Sequence, residues 1–137
     1  VLLITMADHG LIDVRYQDIA LHPDLLDCLS LPISLEGRNA AFFVKKSKKE
    51  EFSSLFMRYY PDFVLLSKEE VLEENVFGLG EENPHFQEFI GDFIAIAIGK
   101  NVLWNSKQAA KKKAFLKAHH AGESKEEREI ALSFYNL

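Results

Sequence analysis

A single cysteine, Cys28, stands in 137 residues. No disulfide can form within the chain, and the reading this favours is a reducing, cytoplasmic setting. An excess of basic residues is lacking as well. A net charge of −5 gives no phosphate-binding surface, which argues against a nucleic-acid polymer as partner. No apolar run approaches the roughly 18 residues of a membrane span, so no membrane association is expected. The longest run, Phe93 to Ile98, has the length of a buried strand. The opening Val1-Leu2-Leu3-Ile4 has neither the basic n-region nor the small-residue cleavage site of a signal peptide, and no initiator Met precedes it. A chain that begins inside a strand is expected to be a piece of a longer one.

What is present is material for a core. The chain is 47% hydrophobic and holds eleven Phe, which excludes disorder and suits one compact domain spanning residues 1–137. Val1 to Met6 reads as a buried strand stopped by the turn Ala7-Asp8-His9-Gly10. His22 to Leu29 reads as a short helix with Pro23 in its first turn, and Leu31 to Gly37 as a loop. Arg38 to Val44 is a second strand. Ser47 then caps a helix to Tyr60, whose Phe52, Leu55, Phe56 and Tyr59 recur at the spacing of one buried stripe, and Pro61 ends it.

Asp62 to Leu66 forms a third strand, and Ser67 with Glu70 makes a capping box for the helix that follows. Phe77 to Glu82 is a loop and Asn83-Pro84 opens a short helix. Asp92–Ile98 and Asn101–Trp104 flank Gly99-Lys100 as a β-hairpin would. Ser124 with Glu127 is a second capping box, and Ile130 to Tyr135 is either a closing strand or the end of that helix. Strands and helices alternate, which places the chain in the α/β class.

The residues that carry chemistry are few. Asp8 and His9 offer a carboxylate and an imidazole, a donor pair suited to Zn²⁺ or Mn²⁺, at the carboxyl end of a strand. Gly10 lets the backbone bend there. The same three residues also make an ordinary strand-ending turn, with Asp8 bonding local N–H groups and His9 on the surface. His119-His120-Ala121-Gly122 is a second candidate, against a solvated histidine pair beside a basic segment. Lys111-Lys112-Lys113 reads as a solvated face, Gly78-Leu79-Gly80 as a turn, His22 and His85 as surface residues, and Cys28 as a buried, inert thiol. Thr5 has a hydroxyl near the first candidate but lies inside the strand.

With these residues in view, the whole chain resembles the C-terminal part of nucleotide pyrophosphatase/phosphodiesterase-like members of the alkaline phosphatase superfamily. The resemblance rests on Leu2 to Gly10, on Phe77-Gly78 and Phe89-Ile90-Gly91-Asp92-Phe93, and on His120-Ala121-Gly122-Glu123-Ser124-Lys125-Glu126-Glu127. The last is similar to a His-Gly-Gly-x-Ser/Thr-x-x-Glu segment, with Ala121 where Gly is usual. It implies part of a helix-sandwiched sheet and a two-metal site for a phosphate-ester substrate. Asp8 and His9 would hold one divalent ion, Zn or Mn, and His120 the second, His120 being favoured over His119 by the position of Gly122.

The nucleophile, a Thr or Ser, and the remaining ligands would lie upstream of Val1, so the isolated chain is expected to bind metal weakly and to be inactive. The other reading is a non-catalytic α/β interaction module with incidental histidines. If the first strand belongs inside a larger sheet, its exposed edge should lead the chain to self-associate.

Overall fold

The computed structural model describes residues 1–108 and 115–136, so the Lys111-Lys112-Lys113 run lies outside the described residues. In chain order the elements begin with β1 (Leu2–Met6), β2 (Ile12–Asp13), β3 (Arg15–Asp18), α1 (Pro23–Asp27), β4 (Ser34–Glu36) and β5 (Asn39–Phe42). There follow α2 (Lys49–Tyr59), β6 (Phe63–Ser67), α3 (Lys68–Glu73), α4 (Phe86–Phe89), β7 (Phe93–Ala97) and β8 (Asn101–Trp104). β9 (Ala118–His119), α5 (Lys125–Arg128) and β10 (Leu132–Asn136) complete the described chain.

The centre is an antiparallel sheet in the order β4-β5-β7-β6. Its central strands, β5 and β7, are buried on both faces, which is why β7 reads as an unbroken apolar run. Ala40, Phe42, Ala95 and Ala97 turn toward Phe52 and Phe56 of α2, while Ala41, Ile94 and Ile96 turn toward Val71 of α3 and Ile90. The period of two along each strand divides one sequence between two cores. Small Ala residues on the α2 face make room for the Phe42, Phe52 and Phe56 rings, whose centroids lie 5.1–5.7 Å apart. Each fully buried Phe contributes roughly 1.5–3 kcal/mol of apolar transfer. The sheet is thus sandwiched by helices, as expected.

The Ser67–Glu70 capping box forms, the Ser67 N–H donating to Glu70 Oε2 at 2.7 Å and the Glu70 N–H to Ser67 Oγ at 3.2 Å. Ser47 does not cap α2. It sits in a 3₁₀ turn, Lys46–Lys48, closed by the Lys48 N–H on Lys45 O, and Lys48 takes the N-cap position without a side-chain bond.

Gly99-Lys100 makes no hairpin. β7 is a central strand with both edges already bonded to β5 and β6, so no edge is left for β8. β8 instead runs parallel to β3, Arg15 opposite Asn101 through Asp18 opposite Trp104. The hairpin of this fold is β4–β5, turning at Gly37-Arg38, and it occupies part of the Leu31–Gly37 stretch expected to be a loop. The segment after α5 is a strand, β10.

β1 is a strand but not a buried one. Among the described residues it pairs only with β10, Leu2 opposite Asn136 through Met6 opposite Leu132, and all five of its residues are exposed. Apolar pairing potential comes from the sequence, whereas burial needs a second layer that this ribbon does not meet. Among the described residues no helix is long and apolar enough to cross a membrane.

Ile4 and Phe134 face each other across the exposed ribbon, at 51% and 61% exposure. An unprotected apolar edge of this kind recruits further strands. The 137-residue chain is therefore expected to show a sedimentation coefficient that rises with concentration, and Ile4→Lys with Phe134→Glu is expected to suppress the rise. A clean monomer of the unaltered chain at high concentration would refute this.

Candidate metal centre

β1 delivers Asp8, His9 and Gly10 at its carboxyl end. Gly10 is required by contact more than by bending. Its N–H donates to Glu127 O at 3.0 Å, and a Cβ there would stand 1.8 Å from Glu126 O, so only glycine lets the loop lie against α5. The His9 Nδ1 is 2.9 Å from Gly10 O. A carbonyl only accepts, so Nδ1 donates, the tautomer that places the lone pair of a neutral ring on Nε2. Metal-binding imidazoles are commonly oriented in this way. Asp8 Oδ1 accepts the His9 N–H at 3.0 Å, and Asp8 Oδ2 lies 3.7 Å from His9 Nε2.

The second histidine segment arrives through β9, which pairs with β2. His119 and His120 part company here. The His119 Nε2 is 2.8 Å from the Tyr16 hydroxyl, which also accepts the Leu116 N–H, and His119 helps line a groove of about 410 Å³ with Tyr16, Trp104 and Leu116. His120 instead stacks on His9, ring centroids 3.8 Å apart and planes inclined by 13°. The fold therefore brings His9 and His120 together from opposite ends of the chain. Ala121 then takes φ +77°, a left-handed conformation that burdens any residue with a Cβ.

Beyond Ala121 lies what the motif reading missed. Glu127, expected as a capping-box residue, does accept the Ser124 N–H at Oε2 (3.2 Å), but it is chiefly the partner of Arg38. Arg38 Nε donates to Oε1 at 2.6 Å and Nη2 to Oε2 at 2.7 Å, in a pair almost wholly buried. The other guanidinium bonds go to Asn101 O at 2.7 Å and Gly99 O at 3.0 Å. The Gly122 N–H closes on Glu127 Oε1 at 2.9 Å, and a Cβ on Gly122 would stand 2.5 Å from Arg38 Nη2. Burial pushes the Glu127 carboxyl up, but the bonds from Arg38, Ser124 and Gly122 and the Arg38 charge outweigh it and hold the pKa down at about 2. The signal in the sequence was an arginine two places before the apolar run Ala40–Val44.

Asp8 and His9 fit one shared cation in donor chemistry and spacing. Two ligand atoms about 2.0–2.1 Å from one tetrahedral ion stand about 3.4 Å apart, close to the 3.7 Å found here. They do not complete a site. Among the described residues no three His, Cys, Asp or Glu side chains converge as a metal site, whereas even a catalytic zinc takes about three protein ligands. Thr5 is exposed within β1.

The remaining candidates are structural. His22 is half-buried against Tyr59, 3.9 Å between ring centroids, and is not the plain surface residue expected. His85 is exposed and pairs with Glu88. Cys28 is fully buried, its thiol pKa raised by burial, as an inert thiol requires. Gly78-Leu79-Gly80 lies in a loop outside any helix or strand.

Comparison with protein-family models and with curated proteins gives no match. Solved structures do match. Human ectonucleotide pyrophosphatase/phosphodiesterase 5 superposes with a TM-score of 0.63 at 21% identity, covering 89% of this chain and 30% of that one. The murine protein gives 0.63 at 19% identity, with 96% and 33% covered. Phosphonoacetate hydrolase from Sinorhizobium meliloti 1021, in complex with phosphonoformate, gives 0.66 at 18% identity, with 97% and 35% covered. The chain thus shares its fold with part of each of these structures. It spans about a third of the length of these structures.

Ala121→Gly relieves the left-handed strain and is expected to raise stability by about 1 kcal/mol, whereas Gly10→Ala forces Glu126 away and is expected to cost about 3 kcal/mol, both read from urea unfolding. Because the folded carboxyl of Glu127 titrates below its ordinary value, its contribution is present above pH 4.5 and is lost as pH falls toward about 2. Circular dichroism should show acid destabilisation across that window. Glu127→Gln should flatten it and cost about 3–5 kcal/mol at neutral pH, since Arg38 is left buried and unpaired.

Proposed function

We propose that this chain supplies metal-ligand residues to a two-metal phosphoryl-transfer hydrolase of the nucleotide pyrophosphatase/phosphodiesterase kind, and hydrolyses nothing by itself. The observation that carries the reading is the convergence of His9 and His120, with Asp8 beside them. Asp8 and His9 would hold one divalent ion, Zn²⁺ or Mn²⁺, and His120 the second. Two such ions, when bound, supply charge neutralisation for the phosphoryl oxygens and a clamp on the attacking and leaving oxygens. The residues of this chain do the preparatory work. Gly10 O fixes the His9 tautomer so that Nε2 is the free donor, and the Tyr16 hydroxyl engages His119 away from the centre.

The reading is also supported by the names of the structural neighbours, a pyrophosphatase/phosphodiesterase and a phosphonoacetate hydrolase. A hydroxyl nucleophile and at least one further ligand would come from the part of such a fold that this chain does not span. The opposing reading, a non-catalytic interaction module, has the exposed β1–β10 ribbon in its favour.

Zn²⁺ titration followed by histidine NMR separates the two. Resonances of His9 and His120 are expected to move while those of His22 and His85 stay, and His9→Ala should weaken binding at least tenfold or so. Unmoved His9 and His120 would leave the interaction module standing. In an assay with a chromogenic phosphodiester and Zn²⁺ or Mn²⁺, no turnover above the metal alone is expected. Turnover by the isolated chain would overturn the claim that it is inactive.

A further inference from the structure

We infer that the buried Arg38–Glu127 pair is a positioning device that sets the distance between His9 and His120. One residue, Glu127, holds both histidine segments. Its carbonyl accepts the N–H of Gly10, next to His9, at 3.0 Å. Its carboxylate accepts the N–H of Gly122, two places after His120, at 2.9 Å. Arg38 in turn fixes that carboxylate with two bonds and is itself anchored to the carbonyls of Gly99 and Asn101 at the edge of the core.

The two glycines show how close the fit is. A methyl group at Gly10 would run into the backbone of Glu126, and one at Gly122 into Arg38 and Glu127. Neither segment can therefore shift toward the pair, and the hydrogen bonds keep each from shifting away. The neighbouring Glu123 N–H, bonded to Ala97 O at 2.8 Å, ties the same loop to β7. The stacking of His9 on His120 follows from these fixed points. The consequence for metal binding rests on the function proposed above; the ring spacing does not.

The test reads the rings directly, in the 137-residue chain without metal. Stacked imidazoles shield each other's protons, so His9 and His120 should resonate upfield and show contacts between their rings. Glu127→Gln is expected to abolish both signals while the His119–Tyr16 contacts persist. Because that variant is destabilised, Arg38→Met with Glu127→Leu is made as well. Such apolar replacements of a buried pair commonly preserve or raise stability, yet they offer Gly122 no carboxylate.

A folded double variant that has lost the ring shifts and ring contacts supports the inference. Intact ring shifts in a folded double variant would overturn it, showing the pair to be a stabilising element only. A double variant that unfolds outright would overturn it too, because the pair would then serve the fold at large. The response to added Zn²⁺ in the unaltered chain is scored separately. Its absence would overturn the metal reading alone.

Discussion

A guanidinium and a carboxylate taken out of water together must satisfy nearly every donor and acceptor they carry, and much of this molecule is arranged around doing so for Arg38 and Glu127. The pair bonds face to face, and the remaining groups are met by the carbonyls of Gly99 and Asn101 and by the N–H groups of Gly122 and Ser124. Leaving one partner alone in such surroundings is costly, whereas the intact pair is close to neutral in net stability. Its worth is in the geometry it imposes. β5, the β7–β8 connection and α5 are held to one point, although they are far apart in the chain.

That point governs where the candidate metal donors lie. α5 is a helix of only four residues, too short to be stable on its own propensity, so its place is decided by Glu127 and by the Gly10 loop lying against its backbone. The loop carrying His120 leaves β9, strains through Ala121 and returns to the pair at Gly122. A function that needs two histidines from distant segments at contact distance thus depends on a residue, Glu127, that would touch no metal. The remaining architecture serves the same end more loosely. The two-faced sheet gives a rigid floor, and the Phe-rich face under α2 keeps it closed.

Legibility followed locality. Most signals confined to a few residues were readable, the Ser47 cap apart: the Ser67–Glu70 cap, the helical stripe Phe52-Leu55-Phe56-Tyr59, the helix start at Pro23 and stop at Pro61, and the apolar run of β7. Signals that depend on what lies across a sheet were not. Gly99-Lys100 has the composition of a hairpin turn, yet β7 had no free edge, and the hairpin formed at Gly37-Arg38 instead. β1 has the composition of a core strand, yet it sits in an exposed ribbon, since composition specifies pairing and not the layers above and below.

The sequence by itself determined the α/β class, most of the elements and the candidates Asp8, His9 and His120, because side-chain chemistry and short-range spacing are written in it. Only the tertiary structure decided that His120 stacks on His9 while His119 turns to Tyr16, that Gly10 and Gly122 are demanded by close contact, and that the glutamate of the C-terminal segment belongs to Arg38. Each of these depends on distances between residues 80 or more apart in the chain, as the 89-residue separation of Arg38 and Glu127 illustrates. Such distances are set by packing and by the satisfaction of buried polar groups, to which no local pattern of residues corresponds.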